Sequence, residues 1–222
     1  MKVAIIFRGQ YFRTGKKATS FFKCIDNQKQ NLLSYFKNYD LFFQSTSVDK
    51  ETDQKLINSL NFKKYDFTNK NRNTMDSILN SLKIYDFSKY DLIVCVRFDL
   101  CFFQHLKNFK IDVNKFNFLW KEPKQFEFNG MVRVCDHLII FPPKYLPNFE
   151  KINYDDSNIV KTIKGKVAPH FNNRSHHLNQ FLYLTEDDTN FMIEGHHFCG
   201  CSNAERDVEA RKYVIIERRI NI

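Results

Sequence analysis

Tyr90-Asp91-Leu92-Ile93-Val94-Cys95-Val96-Arg97-Phe98-Asp99 is the stretch that decides the fold. Leu92 to Val96 is an unbroken apolar run with β-branched Ile93, Val94 and Val96. It suits a strand covered on both faces, because a strand with one wet face alternates apolar and polar residues. A strand of this kind belongs at the centre of a sheet. Just upstream, Met75, Ile78, Leu79, Leu82 and Tyr85 recur at helical spacing, which predicts an amphipathic helix leading into it.

The same alternation runs back to the N-terminus. Val3 to Phe7 is a second apolar strand, and it stops at Arg8-Gly9-Gln10. Phe21, Phe22, Ile25, Leu32, Leu33 and Phe36 predict a helix over Thr19 to Phe36. Asp40 to Gln44 reads as a strand ended by Ser45-Thr46-Ser47, Gln54 to Leu60 as a helix and Lys64 to Phe67 as a third strand. Strands alternating with helices imply an α/β protein with a Rossmann-like, mixed but mainly parallel sheet flanked by helices. Ligands bind such sheets at the carboxyl ends of the strands. The functional loops should therefore follow Phe7, Gln44 and Val96.

The second half is less regular. Phe116 to Trp120 and Val132 to Phe141 read as strands, and Pro142-Pro143 opens a short helix over Lys144 to Phe149. His176 to Leu184 reads as a helix, Phe191 to Glu194 as a strand, and Tyr213 to Arg218 as a last strand or extended tail. No repeat or linker interrupts the 222 residues, so a single domain is expected.

Composition narrows the partners. A net charge of +9 favours anionic ligands, including phosphorylated small molecules. The basic residues are scattered or paired, as in Lys16-Lys17, Lys63-Lys64 and Arg218-Arg219, rather than clustered, so no nucleic-acid partner is expected. Only five apolar residues precede Arg8, too few for a signal peptide's apolar region of about 7–15 residues. No apolar run approaches the roughly 20 residues of a transmembrane segment. A cytoplasmic location follows as the expectation, the host cytoplasm if the chain is viral. Cys24, Cys95, Cys101, Cys135, Cys199 and Cys201 read mainly as buried free thiols, and Cys199-Gly200-Cys201 lacks the second pair that a structural zinc site needs.

Asp99 ends the central strand, where a carboxylate can face a diphosphate-bound Mn²⁺ or Mg²⁺. Arg97 can neutralise a diphosphate through paired hydrogen bonds. The two side chains also fall on the same side of an extended chain and can pair with each other.

YDLIVCVRFDLCFF resembles the strand and metal-site region of GT-A glycosyltransferases, in particular the short enzymes of large DNA viruses and bacterial surface-polysaccharide clusters. The resemblance implies a single GT-A-like domain over residues 1–222, with a nucleotide-binding part over about 1–105 and an acceptor-side part over about 106–222. In that family the motif is usually Asp-x-Asp. Arg97 replaces the first Asp here, so the divalent cation is expected to be weakly held or dispensable. MKVAIIFRGQYFR is similar to the family's nucleotide-binding first strand and loop. By that likeness Phe7, Arg8 and Gly9 lie near the nucleotide, with Arg8 or Arg13 near phosphate. Arg97 and Asp99 complete the donor-binding set. Glu194-Gly195-His196-His197-Phe198-Cys199-Gly200 resembles the His-Phe-x-Gly segment of glycogenin-like transferases, which implies His197 as a metal ligand beside Asp99. The Lys-Pro-Trp that normally follows is absent.

Further residues complete the expectation. Asp136 is the candidate catalytic base if the reaction inverts, or a ligand of sugar or acceptor hydroxyls if it retains. Trp120 and Glu122 can form an apolar platform and a polar contact for a sugar ring, and His176-His177 is a second histidine pair. The implied function is transfer of a sugar from a nucleoside diphosphate sugar, UDP-sugar favoured, to a hydroxyl of a glycan or glycoprotein. Another nucleotide-using α/β transferase, or a non-catalytic polysaccharide- or nucleic-acid-binding module, is the alternative. No Walker-type loop supports a kinase, and Arg8-Gly9-Gln10 lacks the further glycines of a dinucleotide site.

Overall fold

The computed structural model of the chain describes residues 1–13, 19–68, 74–122, 133–152, 178–197 and 212–216. In chain order the strands are β1 (Val3–Arg8), β2 (Phe12–Arg13), β3 (Thr19–Ser20), β4 (Tyr39–Thr46), β5 (Phe62–Thr68), β6 (Leu92–Arg97), β7 (Leu100–Phe102), β8 (Phe116–Phe118), β9 (Leu138–Phe141), β10 (Thr189–Phe191) and β11 (Val214–Ile216). The α-helices are α1 (Phe21–Asn31), α2 (Lys50–Ser59), α3 (Thr74–Lys83), α4 (Leu146–Glu150) and α5 (Leu178–Phe181).

Seven strands form one sheet in the order β10-β8-β9-β6-β1-β4-β5. β1 pairs in parallel with both β4 and β6, β4 with β5, and β8 with β10. β9 pairs antiparallel with both its neighbours, so it alone runs against the other six. The mixed, mainly parallel α/β sheet expected from the sequence is what forms, and β6 is its middle strand. Every residue from Leu92 to Val96 is buried, as an apolar run between two neighbouring strands requires.

The chain leaves β1 in one direction to place β4 and β5, then crosses to the other side to place β6. The order therefore reverses between β1 and β6. At such a point the two outgoing loops diverge and leave a crevice beyond the carboxyl ends of the strands.

Both faces of the sheet are covered. Ile5, Phe7, Phe43, Val94, Val96, Leu138 and Ile140 join Phe21 of α1 and Leu56 of α2 in one core. Ala4, Ile6, Phe42, Ile93, Cys95, Ile139 and Phe141 join Ile78 of α3, Phe149 of α4 and Leu178 of α5 in the other. Phenylalanine fills much of this volume by ring-on-ring packing. Phe98 lies 5.6 Å from Phe7 and 5.1 Å from Phe21 between ring centroids, and Phe116 stacks on Phe141 at 4.7 Å.

Boundaries shift for local reasons. α1 gives way after Asn31 to a short 3-10 turn over Leu33–Tyr35, and Thr19 and Ser20 pair as a strand with β2 instead of opening the helix. α2 starts earlier than the apolar pattern suggests, because Asp49 caps it by accepting from the Thr52 amide at 2.8 Å. The strand expected over Val132 to Phe141 narrows to β9, and Val132 lies outside the described residues. Phe191 marks the end rather than the start of β10. The Tyr213 to Arg218 segment supplies β11, which pairs antiparallel with β7. β7 itself follows directly on the Asp99 turn and was not anticipated.

Candidate functional site

The sheet directions bring most of the sequence-derived candidates to one edge. β1, β6, β8 and β10 end there, and antiparallel β9 begins there. Arg8 and Gly9 leave β1, Arg97 and Asp99 leave β6, Trp120 and Glu122 continue from β8, Asp136 precedes β9, and His197 follows β10. Arg8 pairs in register with both Gln44 of β4 and Arg97 of β6, so two arginines stand side by side across the β1–β6 crevice.

Arg97 and Asp99 form a closed fork. Arg97 Nε donates to Asp99 Oδ1 and Nη2 to Oδ2, each at 2.7 Å. The Asp99 side chain is 5% exposed and that of Arg97 21%, so the guanidinium forms the open side of the pair. A bidentate pair fixes orientation as well as charge.

Arg8 turns inward. It is 1% exposed, its Nη2 donates to the Asp136 carbonyl, and the same nitrogen lies 3.7 Å from Asp136 Oδ2. Burial draws the guanidinium below its ordinary range, while the Asp136 carboxylate pulls the other way. Arg8 is thus placed as a clamp on the approach to β9 rather than as an open phosphate ligand. The Asp136 residue is 2% exposed, so its carboxylate stands behind the open edge. Phe7 alternates to the opposite face and is wholly enclosed among Phe21, Phe62 and Phe98, so only its main chain can meet a ligand.

Gly9 has φ +93°, a conformation that favours glycine, and the space a side chain would enter holds no atom of the described residues within 4 Å. Its carbonyl accepts from Ser45 Oγ at 2.6 Å, which ties the loop after β1 to β4. Asp53 of α2 adds to this frame, accepting from the Tyr11 hydroxyl, from Ser47 Oγ and from the Val48 amide. Arg13 belongs to β2, and its side chain lies outside the described residues.

Trp120 is 3% exposed and meets His197 edge-on at 5.7 Å between ring centroids. His197 Nε2 is 2.7 Å from the Glu194 carbonyl, and its amide donates to the Lys121 carbonyl at 2.8 Å. Gly195, at φ +91°, permits the turn, since a side chain there would meet His197 Nε2 at 3.3 Å. Glu122 pairs with Arg133 at 2.8 Å. His176, His177, Phe198, Cys199, Gly200 and Cys201 lie outside the described residues.

Among the described residues, no three His, Cys, Asp or Glu side chains gather closely enough to hold a metal ion. Asp99 already binds a guanidinium through both oxygens, and His197 belongs to the β8–β10 side of the sheet, with β9 between it and β6. This donor set does not suit a cation caged by protein alone. It suits one that arrives with diphosphate oxygens and needs a single carboxylate, as Mg²⁺ commonly does.

A polar stripe on α1 holds the Asp99 turn, and the apolar periodicity of the sequence did not reveal it. Gln28, 1% exposed, points its side-chain amide at the carbonyls of Arg97, Phe98 and Leu100 at 3.2, 3.1 and 2.8 Å. Asn27 exchanges two 2.7 Å hydrogen bonds with the main chain of Phe102, and Asn31 donates to the same carbonyl at 3.2 Å. The signal was the spacing of Cys24, Asn27, Gln28 and Asn31 at i, i+3, i+4 and i+7, a helical face built of polar residues. Gln28→Leu should cost about 1–3 kcal/mol, since it strands buried carbonyls. The urea midpoint measures this, and a wild-type midpoint would show that Gln28 does not hold the turn.

No known protein family matches the chain, and neither does any curated protein. Similar solved structures include the apo form of the glycosyltransferase GlyE of Streptococcus pneumoniae TIGR4, at 14% identity and a TM-score of 0.46 over 84% of this chain and 44% of that one. A second structure of GlyE has 10% identity and a TM-score of 0.46 over 85% and 44% of the two chains. HddC from Yersinia pseudotuberculosis has 13% identity and a TM-score of 0.40 over 65% and 78%. The chain spans less than half the length of the GlyE structures that it resembles.

Proposed function

We propose that this chain is a glycosyltransferase that moves a sugar from a nucleoside diphosphate sugar, UDP-sugar favoured, to a hydroxyl of a glycan or glycoprotein. The observation that carries the reading is the Arg97–Asp99 fork at the carboxyl end of β6, beside the open space at Gly9, where the strand order reverses. A diphosphate leaving group needs its charge neutralised as the glycosidic bond breaks, and an oriented guanidinium does this without reorganising.

In this reading residues 1–105 hold the nucleotide and 106–222 the acceptor. Arg97 binds the diphosphate, Asp99 orients Arg97, and the loop at Gly9 lets the nucleotide approach the main chain. Asp136, held by Arg8, takes the acceptor proton if the reaction inverts and otherwise binds hydroxyls. A divalent cation that arrives with the diphosphate would lower its charge further and make it a better leaving group, with Asp99 as its one protein ligand.

The test is thermal denaturation with UDP-, GDP-, TDP- and CMP-sugars, with and without Mn²⁺, followed by hydrolysis and transfer assays with the stabilising donor. A donor at about 100 times its dissociation constant adds roughly 2.7 kcal/mol, a shift of several degrees. No stabilisation by any nucleotide sugar would refute the proposal. Stabilisation without turnover on any acceptor would leave a binding module instead.

A further inference from the structure

The polar stripe of α1 also brings two thiols together. Cys24 of α1 and Cys101 of β7 lie 77 residues apart in sequence, yet their Sγ atoms are 2.8 Å apart. Neither is in a disulfide, and Cys24 is wholly buried and Cys101 5% exposed. The separation is held from both sides. Asn27, Gln28 and Asn31 bind the main chain from Arg97 to Phe102, so the helix face that carries Cys24 is fastened to the segment that carries Cys101. On its other side β7 pairs with β11, in which Ile215 stands opposite Cys101.

We propose that Cys24 and Cys101 are an oxidation site, a dithiol that a hydroperoxide converts to a disulfide joining α1 to the Asp99 turn. Cys101, the less deeply buried, reacts first. Its sulfur attacks the peroxide O–O bond, which breaks to leave a sulfenic acid on Cys101, and the departing oxygen takes the thiol proton to leave as water from hydrogen peroxide or as an alcohol from an organic peroxide. The Cys24 sulfur then attacks the sulfenic sulfur, the S–O bond breaks, and the hydroxyl leaves as water with the Cys24 proton. Two thiols lose two electrons and two protons, and the peroxide is the oxidant reduced.

Cys95 does not compete. It packs in the core on the opposite face of the sheet, where burial pushes its thiol up to about 12, so it stays protonated at neutral pH. The Cys24–Cys101 bond would close a loop that contains β4, β5, β6 and the Asp99 turn. Cross-linking so long a loop removes unfolded-state entropy, for an expected rise of roughly 10 °C in the melting midpoint.

The experiment uses the full chain, fully reduced and then exposed to hydrogen peroxide, quenched, unfolded, alkylated and digested without reductant. Mass spectrometry should find the Cys24 and Cys101 peptides joined and 2 Da lighter than their sum. Oxidation should raise the melting midpoint and slow amide exchange over residues 97–102. Cys24→Ala and Cys101→Ala should each abolish the linked peptide and the melting rise. Should one variant fold poorly, the other and the wild-type peptide map still decide the matter. Free alkylation of both cysteines after peroxide, linkage to other cysteines, or Cys101 carried to sulfinic acid without linkage would each overturn the proposal. None of these readouts depends on sugar transfer.

Discussion

Arg8→Met should destabilise the protein by about 3–5 kcal/mol, a fall of roughly 10 °C in melting midpoint, because it leaves Asp136 charged and buried without its guanidinium. The pair is almost wholly enclosed, at 1% exposure for Arg8 and 2% for Asp136. Asp136→Asn added to Arg8→Met should recover part of the loss, since removing both charges costs less than removing one. A double-mutant cycle by urea denaturation measures the coupling, which should exceed about 1 kcal/mol. If Arg8→Met instead melts like the wild type and weakens donor binding alone, Arg8 is a phosphate ligand and the inward clamp is wrong.

Arg97→Ala should cost some stability, because Asp99 is 3% exposed and loses its bidentate partner, and on the proposed function it should lower kcat/KM for sugar transfer by about 100-fold or more. The same substitution removes the guanidinium that competes with a cation for Asp99, so on the proposed function the residual activity should depend more steeply on Mn²⁺ than wild-type activity does. Asp99→Ala should also lose transfer, since Arg97 loses the partner that orients it, and added Mn²⁺ should restore little. Initial rates at several Mn²⁺ concentrations separate these cases. Equal losses for both variants with no change in metal dependence would show that the fork acts only as a structural ion pair.

These two arginines show how far a sequence reaches. That Arg8 and Arg97 end strands of an α/β sheet was legible, because apolar runs of five residues bounded by charge have few other uses. The fork was also legible, since residues two apart on extended chain share a side. The inward turn of Arg8 was not. It depends on Asp136 arriving from 128 residues further on, just ahead of β9, the strand that runs against the others of the seven-stranded sheet. Gln28 was missed for a related reason. Apolar periodicity marks only the core face of a helix, whereas the face of α1 that meets the Asp99 turn is largely polar, because that segment presents main-chain carbonyls which an amide can satisfy and a leucine cannot.

By itself, therefore, the sequence determined the alternation of strands and helices, the central place of Leu92 to Val96, and the carboxyl edge as the place where most of the candidate residues gather. Each of these follows from local pattern, since covered strands and amphipathic helices must bury what they expose to one another. Only the tertiary structure decided which charge meets which. It set Arg8 on Asp136 and laid Cys24 against Cys101. Such pairings depend on distance and burial between segments remote in sequence, and no periodicity records them.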